Sequence, residues 1–235
     1  MSEIFLVRHA QASFGGEKYD RLSALGIRQA QILGDYFFHL GLKFDAIYSG
    51  SMERQINTAQ TVMSRFSEKG AKWREGILEE FNEFDSSSII MMHVEDLVRE
   101  DPSISEALSN VYTDRPSFQY VFDRAVVRWM SGRYEVSAVE ALRAFTRRVS
   151  AGIAKVMQDT GRNERVAIFT SGGTISAAMQ IALGLSTEKA IGLAWQIGNT
   201  SVTTFCYNEK GLSLVSFNSV AHLEYRGEPE LITYL

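Results

Sequence analysis

A chain of 235 residues, 45% of them hydrophobic and 11% aromatic, can bury a sizeable core, and its length admits one large domain or two small ones. A formal net charge of −4 argues against a nucleic-acid or anionic-membrane surface, so any basic site for an acidic ligand has to be local. A single cysteine, Cys206, excludes an intramolecular disulfide framework and a cysteine-cluster metal site, and the histidines at 9, 39, 93 and 222 lack metal-ligand spacing.

From the amino end, "MSEIFLVRH" places an acidic residue before a short apolar run, without a cleavage-site pattern, so no signal peptide is expected. No apolar run is long enough to cross a bilayer. These readings predict a cytoplasmic protein. Residues 3–7 read as a buried strand, short and rich in branched and aromatic side chains. "SALGIRQAQILGDYFFHLG" reads as a helix capped by Ser23 and stopped at Gly41, with Ala30, Leu33, Phe37 and Leu40 on one face. "FDAIYSGS" is a second short strand running into a loop at Ser49 to Ser51. "ERQINTAQTVMSRF" is a helix burying Ile56, Ala59, Met63 and Phe66.

From about 86 to 132 the pattern is irregular, with Pro102 and Pro116 punctuating short helices. "SAVEALRAFTRRVSAGIAKVMQDTG" is a long amphipathic helix stopped by Gly161. "RVAIFTSGG" is a third buried strand, "TISAAMQIALGL" the helix after it, and "SVTTFCYNEKGLSLVSFNS" two strands joined at a turn. Strand–helix alternation predicts a three-layer α/β sandwich, with a mainly parallel mixed sheet and helices on both faces. The sheet resumes after the irregular stretch, which therefore reads as a helical insertion in one domain over 1–235.

In open parallel sheets ligands bind beyond the carboxyl ends of the strands. Arg8 and His9 end the first strand, Ser51 and Arg54 lie just beyond the second, and Ser171, Gly172 and Gly173 end the third, opening onto a helix N-terminus that favours anions. Brought together, they would hold two guanidinium forks suited to phosphate oxygens and an imidazole pushed toward its neutral form by its cationic neighbours. A neutral imidazole with one ring nitrogen bound to backbone has a lone pair ready for attack. The chemistry implied is phosphoryl transfer to His9.

The same residues resemble the histidine phosphatase superfamily, also called phosphoglycerate mutase-like. "FLVRHAQAS" is similar to its strand followed by R-H-G, with Ala10 in the third position. "LSALGIRQA" resembles L-T-x-x-G-x-x-Q-A, with Ser23 for Thr. "SMERQINTA" resembles S-x-x-x-R-A-x-x-T-A, matching at Arg54, Thr58 and Ala59, with Ser51 one residue nearer the arginine than the pattern's serine. "VAIFTSGGTI" resembles the strand ending in H-G-G, and "NSVAHLE" an N-x-x-x-H-L segment. The resemblance implies a reaction without metal or cofactor. In it His9 is the phosphorylated nucleophile, Arg8 and Arg54 clamp the phosphoryl group, and Glu80, in L-x-E within "GILEEFNEFD", is the general acid. Glu79 and Glu83 are rivals for that role.

Two departures stand out. Ser171 replaces the family's second histidine, leaving its hydroxyl and the Gly172 and Gly173 N–H groups as phosphate donors. A position often Asn in relatives falls at Gly15. His222 is a candidate to move into the gap, or else a residue of the C-terminal segment.

The function expected is hydrolysis of a small phosphomonoester, with no nucleic-acid or membrane partner. The alternatives are an impaired phosphate-ester-binding protein and a phosphoglycerate mutase-type phosphotransferase. A serine-hydrolase reading would join Ser171 to Glu188 or Glu209 and His222, but G-x-S-x-G fails at Phe169 and Arg8, His9 and Arg54 stay unexplained. Leaving-group choice is assigned to the loop after His9 and to the insertion over the site. There Phe118, Tyr120 and Trp129 mix with Arg115, Arg124, Arg128 and Arg133 as either a recognition surface or a packed helix with a wet face.

Overall fold

The opening apolar run is strand β1 (Ser2–Arg8), in which Ile4 to Val7 are buried whichever face they point to. Burial on both faces marks a strand inside a covered sheet. The computed structural model describes residues 1–13, 20–111, 113–130, 136–209 and 211–234. In chain order there follow α1 (Ala24–His39), β2 (Ala46–Ser49), α2 (Glu53–Ser67), β3 (Arg74–Ile77) and a 3-10 turn, Glu79–Phe81. Next come α3 (Ser86–Glu100), α4 (Ile104–Ser109), α5 (Arg115–Met130) and α6 (Val136–Asp159). The chain closes with β4 (Arg165–Thr170), α7 (Gly172–Leu183), α8 (Thr187–Ala194), β5 (Val202–Asn208), β6 (Gly211–Ser219) and α9 (Ala221–Glu224).

The strands form one sheet in the order β3-β2-β4-β1-β5-β6. β1 to β4 run parallel, while β5 is antiparallel to β1 and β6 to β5. This is the α/β fold with a mainly parallel mixed sheet. Alternation sends Phe5, Val7, Ala167 and Phe169 to one face, where they form a core with Ala30, Leu33 and Phe37 of α1 and Val62, Met63 and Phe66 of α2. Ile4, Leu6, Val166 and Ile168, on the opposite face, are equally buried, and α7 packs against β1 and β6. The consequence for function is order: β2, β4 and β1 are neighbours, so Ser49, Thr170 and Arg8 end side by side, with Arg8 paired to Thr170 and Ser49 to Phe169.

The chain gathers into two compact units. The first contains the sheet and comprises 1–13, 20–83 and 148–235; the second spans 84–147. The second has its own small core, in which Phe84 stacks on Phe122, Phe118 stacks on Phe122, and Val121, Ala125 and Val126 are buried.

Three readings of the sequence change here. The stretch expected to be irregular holds two long helices, α3 and α5, because Pro116 opens α5 near its first position instead of breaking it. β3 was not expected, since three of its four residues are exposed and give no apolar signal. α8 and α9 were also unforeseen. The mixed stripe of α5 behaves as a packed helix at four of its residues: Arg124 lies over the Tyr120 ring, Phe118 is in the stack, and Arg128 is buried against Asp96 (2.8 Å) and Glu100. Gly15 and Arg133 lie outside the described residues, as do the side chains of Arg115 and Trp129.

Candidate active site

β1 runs out at Arg8 because His9 leaves the ladder. The His9 N–H still donates to the Thr170 carbonyl (2.7 Å), which keeps the first residue after the strand beside β4. The imidazole is buried, and its Nδ1 lies 2.9 Å from the Ala10 carbonyl oxygen. A carbonyl only accepts, so Nδ1 carries the proton and Nε2 keeps its lone pair. Burial first, then the Arg54 and Arg8 guanidinium groups, hold His9 well below the usual imidazole range. The ring is therefore neutral and nucleophilic at physiological pH. Repulsion by the two arginines was foreseen; the larger contribution from desolvation was not.

Both guanidinium groups are buried and fixed by acceptors far away in sequence. Arg54 Nη1 pairs with Asp20 Oδ1 at 2.6 Å, and the other Asp20 oxygen accepts the Glu53 N–H (2.6 Å). Arg8 Nη1 donates to the carbonyls of Ile197 and Tyr234, the latter at 2.6 Å. A Cβ built on Gly172 would lie 3.8 Å from Arg8 Nε, so the strand-end arginine and the glycine turn after β4 do meet.

The loop after His9 is gripped from three sides. The Ala10 N–H donates to Thr58 Oγ1 (3.0 Å), whose hydroxyl donates to the Arg54 carbonyl (2.6 Å). The Gln11 N–H donates to Gln29 Oε1 (2.9 Å), and Ser23 binds Gln11 through both its backbone N–H and its hydroxyl. A Cβ on Gly26 would overlap the Gln11 carbonyl oxygen. The spaced Ser23, Gly26 and Gln29 thus cap α1 and hold the nucleophile's loop at once. On the far side Asn199 Nδ2 donates to the His9 carbonyl (3.0 Å), and the Thr200 N–H donates to the Arg8 carbonyl (3.1 Å). Thr200 has φ 57°, costly for a β-branched residue. Its hydroxyl holds it there, donating to Asn199 O (2.7 Å) and lying 2.9 Å from His222 Nε2.

At the β4 end Ser171 is fully buried and Gln55 Nε2 donates to its Oγ (2.8 Å). The 3-10 turn is sewn to the same place: Thr170 Oγ1 donates to the Phe81 carbonyl (2.7 Å) and Thr174 Oγ1 to the Asn82 carbonyl (3.2 Å). Arg148 donates to the carbonyls of Glu79 and Asn82 (2.9 Å). Of the three candidate acids, Glu79 is exposed, Glu80 is half-buried, and Glu83 Oε2 accepts the Gly173 N–H at 2.9 Å.

The structure brings Arg8, His9, Arg54, Ser171 and Gly172 to one end of the sheet, with the turn bearing Glu80, and Glu83 just after it, bonded to that end. It does not join His222 to Ser171: His222 is buried in α9 with its Nε2 on Thr200. The Gly173 N–H, expected as a phosphate donor, is given to Glu83. Asp20, Gln55, Asn199 and Arg148 were missed. Their partners lie 34 to 190 residues away for the first three, so no local spacing signals them. Among the described residues no cluster of His, Cys, Asp and Glu side chains could hold a metal ion, and no helix is long and apolar enough to cross a membrane.

Known proteins resemble this chain in sequence and in fold. The model of the histidine phosphatase superfamily (branch 1) matches residues 4–220. The serine/threonine-protein phosphatase PGAM5, mitochondrial, of Rattus norvegicus is 41% identical over 61 residues, which is 25% of this chain and 21% of that protein. The chain thus covers about a fifth of the length of the curated relative it matches. Among solved structures, the phosphoserine phosphatase of Entamoeba histolytica superposes with a TM-score of 0.62 at 18% identity, covering 95% of this chain and 100% of that one. The phosphoglycerate mutase of Bacillus anthracis gives 0.62 at 15%, covering 97% of each chain. A putative alpha-ribazole-5'-P phosphatase of Escherichia coli gives 0.59 at 21%, covering 93% and 98%. At such identities these structures are alike in fold.

Proposed function

The chain belongs to the histidine phosphatase superfamily, branch 1, and from that premise we propose that it hydrolyses a small phosphomonoester through a phosphohistidine at His9, without metal or cofactor. The carrying observation is the His9 ring, neutral, with Nδ1 committed to Ala10 O and Nε2 left as the only nucleophilic nitrogen. In the first step Nε2 attacks phosphorus and the ester P–O bond breaks, while Glu80 gives its proton to the leaving oxygen, releasing the alcohol. In the second, water attacks the phosphohistidine, its proton returns to Glu80, and the N–P bond breaks to release phosphate. Arg8 and Arg54 offset the charge on the equatorial oxygens in both. Glu80 is favoured as the acid because the Glu83 carboxylate is engaged by the Gly173 N–H and Glu79 faces solvent.

A second reading, ester binding without turnover, is favoured by one observation: Arg8 already donates to the carbonyls of Ile197 and Tyr234. A panel from a nitrophenyl ester to sugar and nucleoside phosphates separates the two. The expected result is chelator-insensitive hydrolysis that falls by about a thousandfold or more in His9→Ala, as for loss of a covalent nucleophile. Phosphate binding with no turnover of any ester selects the second reading, and turnover undiminished in His9→Ala removes the role given to His9. Mutase activity would appear as phosphoryl transfer to an added alcohol in place of release as inorganic phosphate.

A further inference from the structure

Two positions at which this chain leaves the superfamily pattern touch each other. The alanine that follows the arginine in S-x-x-x-R-A is Gln55 here, and the histidine of H-G-G is Ser171. The Gln55 amide nitrogen sits 2.8 Å from Ser171 Oγ, and both side chains are fully buried. We propose that Gln55 and Ser171 form a two-residue phosphoryl donor, in which the Gln55 amide orients the Ser171 hydroxyl so that its proton points at the phosphate held at His9. This rests on the hydrolytic reading above and adds Gln55 to it as a positioning residue.

The direction of the bond follows from the surroundings. Gln55 Nε2 also donates to the Phe81 carbonyl (3.2 Å), an atom that can only accept, and Gln55 Oε1 faces the Met52 N–H (3.4 Å). The amide cannot be flipped without setting its oxygen against a carbonyl. Its second N–H is therefore spent on Ser171 Oγ, which must act as acceptor, and the Ser171 hydroxyl proton has to point elsewhere. Ser171 stands at the N-terminal cap of α7 yet makes no capping bond, and its hydroxyl proton meets no acceptor among the described residues. A buried donor without an acceptor is costly unless a ligand supplies one. The position fits: Ser171 follows Thr170, whose carbonyl accepts the His9 N–H, and Gly172 beyond it lies against the Arg8 guanidinium. Gly50 makes room for the arrangement. A Cβ there would overlap the Gln55 amide oxygen and sit 2.6 Å from Asn82 Oδ1.

The test is a double-mutant cycle on the full chain, with kcat, KM and orthovanadate inhibition measured on nitrophenyl phosphate for wild type, Ser171→Ala, Gln55→Met and the pair. Loss of one neutral donor used in the transition state lowers kcat about tenfold in each single variant, with KM changed far less and vanadate affinity weakened in parallel. Because Gln55 acts through Ser171, the double variant stays at the level of the singles, not about a hundredfold down. Gln55→Asn, one methylene too short to reach Ser171, gives the same loss and replaces Gln55→Met if that variant does not fold. Additive losses, or a wild-type rate in Gln55→Met or Gln55→Asn, overturn the pair while His9-dependent turnover stands. A wild type whose turnover survives His9→Ala overturns the parent reading instead.

Discussion

At the scale of single residues the first consequence is protonic. Burial lowers His222 to about 4, from an ordinary value of 6.5. The unfolded chain therefore takes up a proton between those values that the folded chain refuses. The stabilising contribution is whole above pH 6.5 and is lost as pH falls toward 4, an acid-side loss of about 3 kcal/mol. His9 shifts in the same direction. Urea midpoints measured at neutrality and near pH 4 should therefore fall less in His222→Gln, which keeps a donor for Thr200, than in wild type. Equal acid sensitivity in the two proteins would show that His222 already titrates normally in the native state. Arg8, His9, Ser171 and Gly172 were legible because each lies at or just beyond the end of a buried strand. Arg54 was legible only through its motif, since helix residues with a charge are mostly solvated. Gln55 was not legible: a glutamine inside an amphipathic helix looks like surface until a partner 116 residues away removes it from water.

Among the elements, two glycines of α1 separate packing from positioning. Gly34 lies where α1 crosses α2, and a Cβ there would sit 2.6 Å from the Val62 carbonyl oxygen, a backbone atom that cannot step aside. Gly34→Ala should cost about 1–3 kcal/mol through forced separation of the helices, while leaving kcat of the folded fraction near wild type. Gly26→Ala also meets backbone, but at Gln11, two residues after His9. It should lower kcat by more than its loss of melting temperature would suggest, and comparing the two variants in one thermal scan and one rate assay distinguishes the effects. A larger kcat loss in Gly34→Ala than in Gly26→Ala would refute this division. The helices α1, α2 and α7 and the strands β1, β2 and β4 were readable because apolar periodicity and cap residues agree in them. β3 escaped because an exposed edge strand needs no apolar face, and α5 because its proline sits where a helix starts.

For the molecule as a whole, strand order made the difference between three separate polar strand ends and one site. No property of the sequence alone states that β4 lies between β2 and β1, so convergence at one end of the sheet had to be observed. The net charge of −4 is compatible with a cationic site because that end of the sheet collects two arginines that lie 46 positions apart in the chain (54 − 8). The division into two units leads to the last prediction. Every residue assigned above to the reaction, and both apolar clusters that pack the sheet and the C-terminal segment, lie within 1–13, 20–83 and 148–235. Within that unit the two flanks of the 84–147 stretch meet, since the Arg148 side chain reaches the Asn82 and Glu83 carbonyls at 2.9 and 3.4 Å. Loop closure depends weakly on length, so replacing 84–147 by a Gly-Ser linker of roughly eight residues changes the closure term by only about 2 kcal/mol, in the favourable direction. The shortened chain should fold and keep His9-dependent hydrolysis of nitrophenyl phosphate within about tenfold of wild type, a loss of about 1.4 kcal/mol in barrier. Its discrimination among larger esters should flatten, because leaving-group choice was assigned to the insertion. A shortened protein that folds yet retains the full substrate ranking would move specificity back onto the sheet-bearing unit, and one that does not fold would show that this unit depends on the second for its stability.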